Sequence, residues 1–134
     1  MICYLLEVVP MKVDHLYSEG ISKNIKRRLI SNFLDIIILS VLSDAPNSGY
    51  DIIQYIFLRF NCLISSGTVY STLYALERNQ LLTAWWNGRK RMYKLSEKGQ
   101  KFIKEYHEYL SVMIQSFTNF LNDLKAVKVY NEKN

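Results

Sequence analysis

Residues 65–99 read SSGTVYSTLYALERNQLLTAWWNGRKRMYKLSEKG, and this stretch decides the fold. Its first half predicts one amphipathic helix, because Val69, Leu73 and Leu76 recur at helical spacing and form an apolar stripe. Ser65 or Ser66 can cap this helix, since a serine oxygen accepts a hydrogen bond from the free amides of the first turn. We therefore expect a helix with one buried face at the start of the stretch.

The face opposite the apolar stripe is small, hydroxylic and aromatic, and it ends in a cation. Its wheel positions are Gly67, Ser71, Tyr74, Ala75 and Arg78. A solvated helix face is the plain interpretation of such residues. However, no carboxylate lies at the centre of this face, which is unusual for a surface that only meets water.

The second half of the stretch changes period and predicts a β-hairpin. Asn87-Gly88 is the strongest short hairpin signal, because both residues tolerate a positive φ. The flanking segments, which are rich in aromatic and β-favouring residues, are Leu81–Trp86 and Met92–Leu95. Alternation along the strand predicts that one of Trp85 and Trp86 packs inward while the other is partly exposed.

A helix with a small polar face followed by a basic hairpin is the layout of a winged helix-turn-helix. In that motif the helix enters the major groove of DNA, and the wing lies along the backbone or the minor groove. Since both features occur in this order, we favour double-stranded DNA as the partner over two solvated surfaces. Tyr70 lies at the flank of the face and can reach a phosphate or close the core. The predicted DNA-binding residues are Ser65, Ser66, Thr68, Tyr70, Ser71, Tyr74, Arg78, Arg89, Lys90 and Arg91.

The same stretch carries a family pattern. Residues 67–70 (GTVY) are followed by Leu73, Leu76-Glu77, Leu81-Leu82, Gly88-Arg89, Arg91, Tyr93 and Leu95–Gly99 (LSEKG). This pattern resembles the PadR family of winged-helix transcriptional regulators, over Leu34 to about Gly99. Ser71 stands where that family commonly has proline, and Gln80 where it has glycine, the usual left-handed cap of a helix. Many PadR-like proteins sense small aromatic or multidrug ligands. The resemblance therefore implies a small-molecule effector, with the space between the long C-terminal helix and the core helix as its candidate site.

Composition predicts one globular domain with an anionic partner. The chain has 134 residues, of which 49% are hydrophobic and 22% charged, and its formal net charge is +5. Cys3 and Cys62 lack metal-ligand spacing and are expected to be reduced thiols, so we expect no metal and no cofactor. No secretory signal is convincing, and the apolar run Ile36–Leu42 is too short to span a bilayer. We expect a cytoplasmic protein without a membrane partner.

The segments before residue 65 predict the helices that support the recognition helix. Met1–Gly20 shows no helical period, and Met11 is an alternative start. The basic residues of Ile21–Arg28 fit a solvated helix start or a phosphate-contacting arm equally well. Leu29–Leu42 is apolar on nearly all sides and predicts a central core helix. Tyr50–Phe60 predicts the second helix, which would cross the DNA backbone.

A long helix is predicted from Ser96 to about Lys125, and its apolar stripe is broader than one domain face needs. The breadth predicts helix-to-helix packing with a second chain, and folding back onto its own domain is the alternative. A two-fold dimer suits an inverted-repeat operator. The predicted interface residues are Phe102, Tyr106, Tyr109, Leu110, Met113, Phe117, Phe120, Leu121 and Leu124.

Together these features predict a mainly α protein with a small β-hairpin (α+β), built as a winged helix-turn-helix plus a long dimerisation helix. The expected boundaries are residues 1–22 for an N-terminal segment, 23–97 for the DNA-binding domain, 98–126 for the dimerisation helix and 127–134 for a polar tail. We expect a sequence-specific, homodimeric regulator that represses transcription and that a small aromatic effector releases from its operator. A winged-helix protein–protein assembly module and a MarR-like regulator are the alternatives.

Catalysis is not expected. The sequence has no phosphate-cradling glycine loop, no HExxH and no CxxC, and its two histidines, His15 and His107, are isolated. Glu77, beside Arg78 in sequence, is expected to form a structural ion pair. A MarR-like regulator would need a long N-terminal dimerisation helix, which Met1–Gly20 does not show.

Overall fold

The computed structural model describes residues 19–133, and for residue 19 and residues 126–131 it describes the backbone alone. The predictions made on residues 1–18, including those on Cys3, Met11 and His15, lie outside the described residues. The elements follow in the order α1 (Glu19–Asn32), α2 (Leu34–Asp44), β1 (Asn47–Ser48), α3 (Gly49–Phe60), α4 (Ser66–Arg78), β2 (Leu82–Asn87), β3 (Lys90–Leu95) and α5 (Glu97–Glu132). This architecture confirms the predicted fold class.

The first predicted helix is in fact two helices. The backbone leaves the helical region at Phe33, with φ −113° and ψ 20°, and this residue separates α1 from α2. The prediction of one buried helix over Leu29–Leu42 is therefore wrong at its start, where Leu29 is 56% exposed. No glycine or proline lies between Ile30 and Leu34, so the sequence carries no local signal for the break. The helix that is buried is α2, through Leu34, Ile36, Ile38, Leu39 and Leu42.

Helix α3 begins and ends on local signals that the sequence holds. Ser48 and Asp51 form a reciprocal capping box at its start. The hydrogen bond from the Ser48 hydroxyl lowers the pKa of the Asp51 carboxyl. At its end Asn61 takes the left-handed conformation, with φ 48°. The predicted second helix, Tyr50–Phe60, is thus confirmed to within one residue at its start.

The sheet has three strands rather than the two of the predicted hairpin. Its order is β1-β3-β2, and both pairings are antiparallel. Strand β1 pairs Asn47 with Tyr93 and Ser48 with Met92. Strand β1 was not predicted, because two residues are too few to show an alternating pattern.

The hairpin turn lies one residue later than predicted. Asn87 and Lys90 are the last paired residues, so the turn consists of Gly88 and Arg89. Gly88 has φ +63°, and Arg89 has no positive φ, which is the φ pattern of a type II′ turn with glycine at its first central position. The turn therefore requires the backbone freedom of glycine at position 88. Asn87 is the last paired residue of β2 and does not need a positive φ.

Helix α5 packs on the domain only at its beginning. Ile103 is buried in the core, while Tyr106 and Leu110 lie against it half-buried. His107 Nε2 lies 2.8 Å from the hydroxyl of Ser40, which is also within hydrogen-bond distance of the carbonyl of Ile36. From residue 111 to residue 125 every described side chain of α5 is exposed. The fold-back alternative thus applies to the first turns alone.

The predicted end of this helix near Lys125 is wrong, because α5 continues to Glu132. Residues 126–132 contain no glycine or proline, and polar composition alone does not end a helix. Across residues 19–133, no helix combines the length and the apolarity that crossing a membrane requires.

Candidate nucleic-acid interface

The first turn of α4 is capped by serine and threonine hydroxyl groups. The Ser65 hydroxyl oxygen accepts from the backbone N–H of Thr68 at 3.2 Å and lies 2.7 Å from the Thr68 hydroxyl. Ser65 is therefore the N-cap, and Ser66 is the first helical residue, exposed to solvent. The hydroxyl groups of Ser65 and Thr68, which form this cap, lie at the exposed N-terminal end of the helix.

The two faces of α4 separate as predicted. Val69, Leu73 and Leu76 are buried in the core. The opposite face forms a shallow open concavity lined by Gly67, Tyr70, Ser71, Tyr74, Glu77 and Arg78. The Ser71 hydroxyl donates to the carbonyl of Gly67 at 2.6 Å, so its proton is engaged within the helix and its oxygen faces outward as an acceptor.

Tyr70 lies at the edge of this face and packs against α3. A Cβ atom added at Gly49 would stand 2.5 Å from its Cε1 and 3.1 Å from its hydroxyl oxygen, so the hydroxyl-bearing edge of the ring covers that glycine. The side chain is half-buried and belongs to the residues that pack on the core. The ring of Tyr70 therefore helps to close the core, and contact of Tyr70 with a phosphate stays a prediction.

The three cations of the wing divide into two kinds. Arg89 lies in the turn and Lys90 is the first residue of β3, and both side chains are exposed. Arg91 instead points back to α4, where its Nη2 donates to the Glu77 carboxylate oxygens at 2.9 and 3.3 Å. Glu77 thus forms the structural ion pair that was predicted, and its partner is Arg91 from the wing.

Aromatic rings enclose the Arg91 guanidinium. Its Cζ lies 5.5 Å from the ring centroid of Trp86 and 6.0 Å from that of Tyr93, both within cation–π range. The bond to Glu77 is the main reason that the pKa of Arg91 is raised. Burial raises the pKa of Tyr93, whose hydroxyl finds no hydrogen-bond partner among the described residues, and neither does Arg91 Nε.

The prediction that one of the two tryptophans packs inward is wrong. Trp86 does lie on the row of the hairpin that faces α4, in register with Arg91, yet it extends past the core and is 65% exposed. Trp85 lies on the other row and covers Lys94, whose Nζ is 5.8 Å from its ring centroid. Alternation places the two tryptophans on opposite rows of the hairpin, but it could not show that the core ends at Ala84.

The junction between α4 and the wing is closed by a left-handed residue. Gln80 has φ +62°; its N–H donates to the carbonyl of Glu77, and the next N–H, of Leu81, donates to Leu76. These two bonds, with apolar contact between Leu76 and Leu81, are those of a Schellman motif. Gln80 therefore takes the left-handed conformation that the resemblance assigns to a glycine, and α4 ends at Arg78.

The start of α5 completes this junction. The Ser96 hydroxyl donates to the carbonyl of Gln80 at 2.6 Å and accepts from the N–H of Gly99 at 3.0 Å. Lys98 Nζ donates to the carbonyl of Asn79 at 2.9 Å. The Ser-Glu-Lys-Gly sequence after the wing therefore caps the end of α4 while it begins α5. The sequence pattern contains this motif but could not predict its role at the end of α4. The bonds from Ser96 to Gln80 and from Lys98 to Asn79 join residues that are far apart in sequence.

The residues predicted to form a dimer interface lie on α5 in two groups. Tyr106 and Leu110 are half-buried against their own domain. The others are exposed along the helix: Phe102, Tyr109, Met113, Phe117, Phe120, Leu121 and Leu124.

Comparison with known proteins places this geometry in a family. Residues 38–105 match the model of the transcriptional regulator PadR-like family. A transcriptional regulator from Clostridium thermocellum has a similar structure, with a TM-score of 0.64 and 25% identity over 69% of this chain and 94% of that one. No curated protein matches the chain.

Two further solved structures show the same fold. The PadR family regulator of Eggerthella lenta DSM 2243 has a TM-score of 0.66 and 22% identity, over 77% of this chain and 94% of that one. The PadR family regulator of Clostridium difficile R20291 has a TM-score of 0.63 and 22% identity, over 66% and 98% of the two chains.

Proposed function

The chain belongs to the transcriptional regulator PadR-like family, and from that membership we propose that it is a sequence-specific DNA-binding regulator. The observation that carries the proposal is the outer face of α4. It is exposed and hydroxylic, and its one carboxylate, on Glu77, is paired with Arg91. A face of this kind can approach phosphates without repulsion and can meet the edges of bases.

In the proposed complex, α4 enters the major groove and the wing follows the backbone. Thr68, Ser71 and Tyr74 are the candidate base readers, since their side chains lie on or beside the exposed face. Ser65 and Ser66, at the helix N-terminus, are candidates for a phosphate, which the free amides and the helix dipole also favour. The exposed cations Arg78, Arg89 and Lys90 supply charge at the two ends of this surface.

The proposed assembly is a homodimer that binds an inverted repeat. Its support is the exposed apolar row of α5, since monomeric proteins rarely expose contiguous apolar patches beyond a few hundred Å². A two-fold pair of chains presents two α4 helices, and the half-site spacing then mirrors the symmetry of the protein.

We further propose repression by occupancy of the operator and release by a small aromatic molecule. The candidate effector site is a groove between the end of α2, β3 and the first turns of α5. Its walls combine apolar side chains, such as Leu42 and Ile103, with polar ones, such as Lys104 and His107. A ligand in this groove would touch both the winged domain and the long helix, and so could change the angle between them.

Selection of bound duplexes from a random DNA library tests the proposal. We expect the selection to enrich an inverted repeat. We also expect the logarithm of the binding constant to fall linearly with the logarithm of salt concentration, because phosphate contacts release counterions. Absence of enrichment, together with a flat salt dependence, would contradict DNA binding and favour the winged-helix assembly module.

A further inference from the structure

The Glu77–Arg91 ion pair joins the two parts of the candidate DNA surface. Glu77 is the second-last residue of α4, and Arg91 lies on β3 two residues from Arg89, which is about 7 Å along a strand. The side chains are 29% and 30% exposed, so neither is fully in water. A displacement of β3 relative to α4 at this pair would move the wing tip with it.

The surroundings of the pair hold it in one geometry. A carboxylate near the C-terminus of a helix is opposed by the helix dipole, so Glu77 needs a cation, and Arg91 supplies it. The guanidinium lies within cation–π range of both Trp86 and Tyr93, and its Nε is buried. The positive charge of Arg91 is therefore already compensated by the Glu77 carboxylate in the absence of DNA.

We propose that Arg91 is a positioning residue, which sets the angle between α4 and the wing through Glu77, and that it does not contact a phosphate. This inference rests on the proposed function, because it concerns how the DNA surface is held. It divides the three wing cations: Arg89 and Lys90 face DNA, whereas Arg91 braces the strand that carries them. The brace would affect the fit to a specific operator more than the general attraction to DNA.

The variant Glu77→Gln separates the two roles. If Arg91 contacts phosphate, removal of the neighbouring carboxylate frees the guanidinium and strengthens binding to any DNA. If Arg91 is a brace, the same change loosens the wing, and binding to the duplex that the wild type selects weakens about tenfold, the size of a typical pairwise coupling. Binding to a scrambled duplex of equal length does not weaken in that case, because the loss of a carboxylate can only reduce the repulsion of phosphates.

The salt dependence gives a second, independent measurement. The double variant Glu77→Gln/Arg91→Gln keeps the net charge of the pair and is expected to leave the slope of log K against log salt unchanged on both duplexes, while the matched control Arg89→Ala lowers it by about one. Arg91→Lys keeps the charge but not the planar guanidinium that lies within cation–π range of Trp86 and Tyr93, and it should weaken binding to the selected duplex without a change in slope. Tighter binding of Glu77→Gln to the selected duplex, or a slope lowered by about one in the double variant, would overturn the proposal.

The pair can also be tested without DNA, which separates its failure from that of the proposed function. We expect the unfolding equilibria of the wild type, Glu77→Gln, Arg91→Gln and the double variant to show a coupling of about fivefold. Additive effects would mean that the pair does not hold α4 to the wing, whatever the DNA measurements give. Coupling in a protein that enriches no duplex would overturn the DNA role alone.

Discussion

Gly99 packs directly against the carbonyl oxygen of Leu81, so closely that a side chain at position 99 would overlap this backbone atom. The same carbonyl accepts from the N–H of Ser96 at 3.0 Å, which fixes it in place. The first turn of α5 therefore fits against the residue that ends the α4 junction. The glycine of the Leu-Ser-Glu-Lys-Gly motif is needed for this contact and not for an unusual φ.

We expect Gly99→Ala to destabilise the protein by about 1–3 kcal/mol, because the added methyl group forces two backbone segments apart. Urea unfolding followed by circular dichroism measures this change. Gly67→Ala is the matched control: Gly67 lies in a helix with nothing within 4 Å of an added Cβ. It should gain roughly 0.5–1 kcal/mol from the better helix propensity of alanine. A neutral Gly99→Ala would show that α5 can move away from Leu81.

Gln80→Gly should stabilise the protein by about 1 kcal/mol. Gln80 holds φ +62°, where a residue with a Cβ is strained and glycine is not. The control is Asn79→Gly, since Asn79 has φ −79° and glycine can only add unfolded-state entropy there. Thermal melting of the two variants compares them, and a melting temperature for Gln80→Gly at or below that of the wild type would contradict the strain.

These two glycine-related positions illustrate what the sequence could and could not predict. The apolar stripe of α4, its serine cap and the presence of the wing follow from local periodicity and turn chemistry. The brace from Arg91 to Glu77 and the cap from Ser96 to Gln80 join residues 14 and 16 positions apart, and periodicity within one element contains no information about such contacts. The break between α1 and α2 at Phe33 was not predicted for a different reason, which is that nothing in its local sequence marks it.

Ser71→Ala should change base preference if the hydroxyl reads a base. Its proton is donated to Gly67, so the outward oxygen is an acceptor and suits the amino group of adenine or cytosine. Loss of that contact is expected to reduce discrimination at one position by about 1 kcal/mol or somewhat more. Duplex selection with both proteins measures it, and identical selected sites would argue against readout by Ser71.

A core variant provides the control for the Ser71 experiment. Leu76→Ala empties a buried position on the opposite face of α4 and should cost roughly 2–5 kcal/mol in stability. Its selected sites should match those of the wild type wherever it is folded. A changed preference in Leu76→Ala would show that selection reports the position of the helix rather than the chemistry of position 71.

Phe117→Glu is expected to give monomers. Phe117 is 61% exposed in one chain and stacks with Phe120 at a centroid distance of 6.2 Å, so the pair presents a flat aromatic surface to a partner. Burial of one phenylalanine is worth about 1.5–3 kcal/mol, and several from each chain can outweigh the ordering cost of association. An unpaired carboxylate buried at the same place is far more costly than a lost contact.

Sedimentation of the purified variant measures its mass, and circular dichroism confirms that it is folded. Because α5 beyond Leu110 leaves the winged domain, the domain should fold normally and keep weak binding to a single half-site, while high-affinity binding to two half-sites is lost. The matched control is Gln115→Glu, which adds the same carboxylate off the apolar row and should remain dimeric. A folded Phe117→Glu that is still a dimer at micromolar concentration would mean that this row is not the interface, and the N-terminal segment would then be the better candidate.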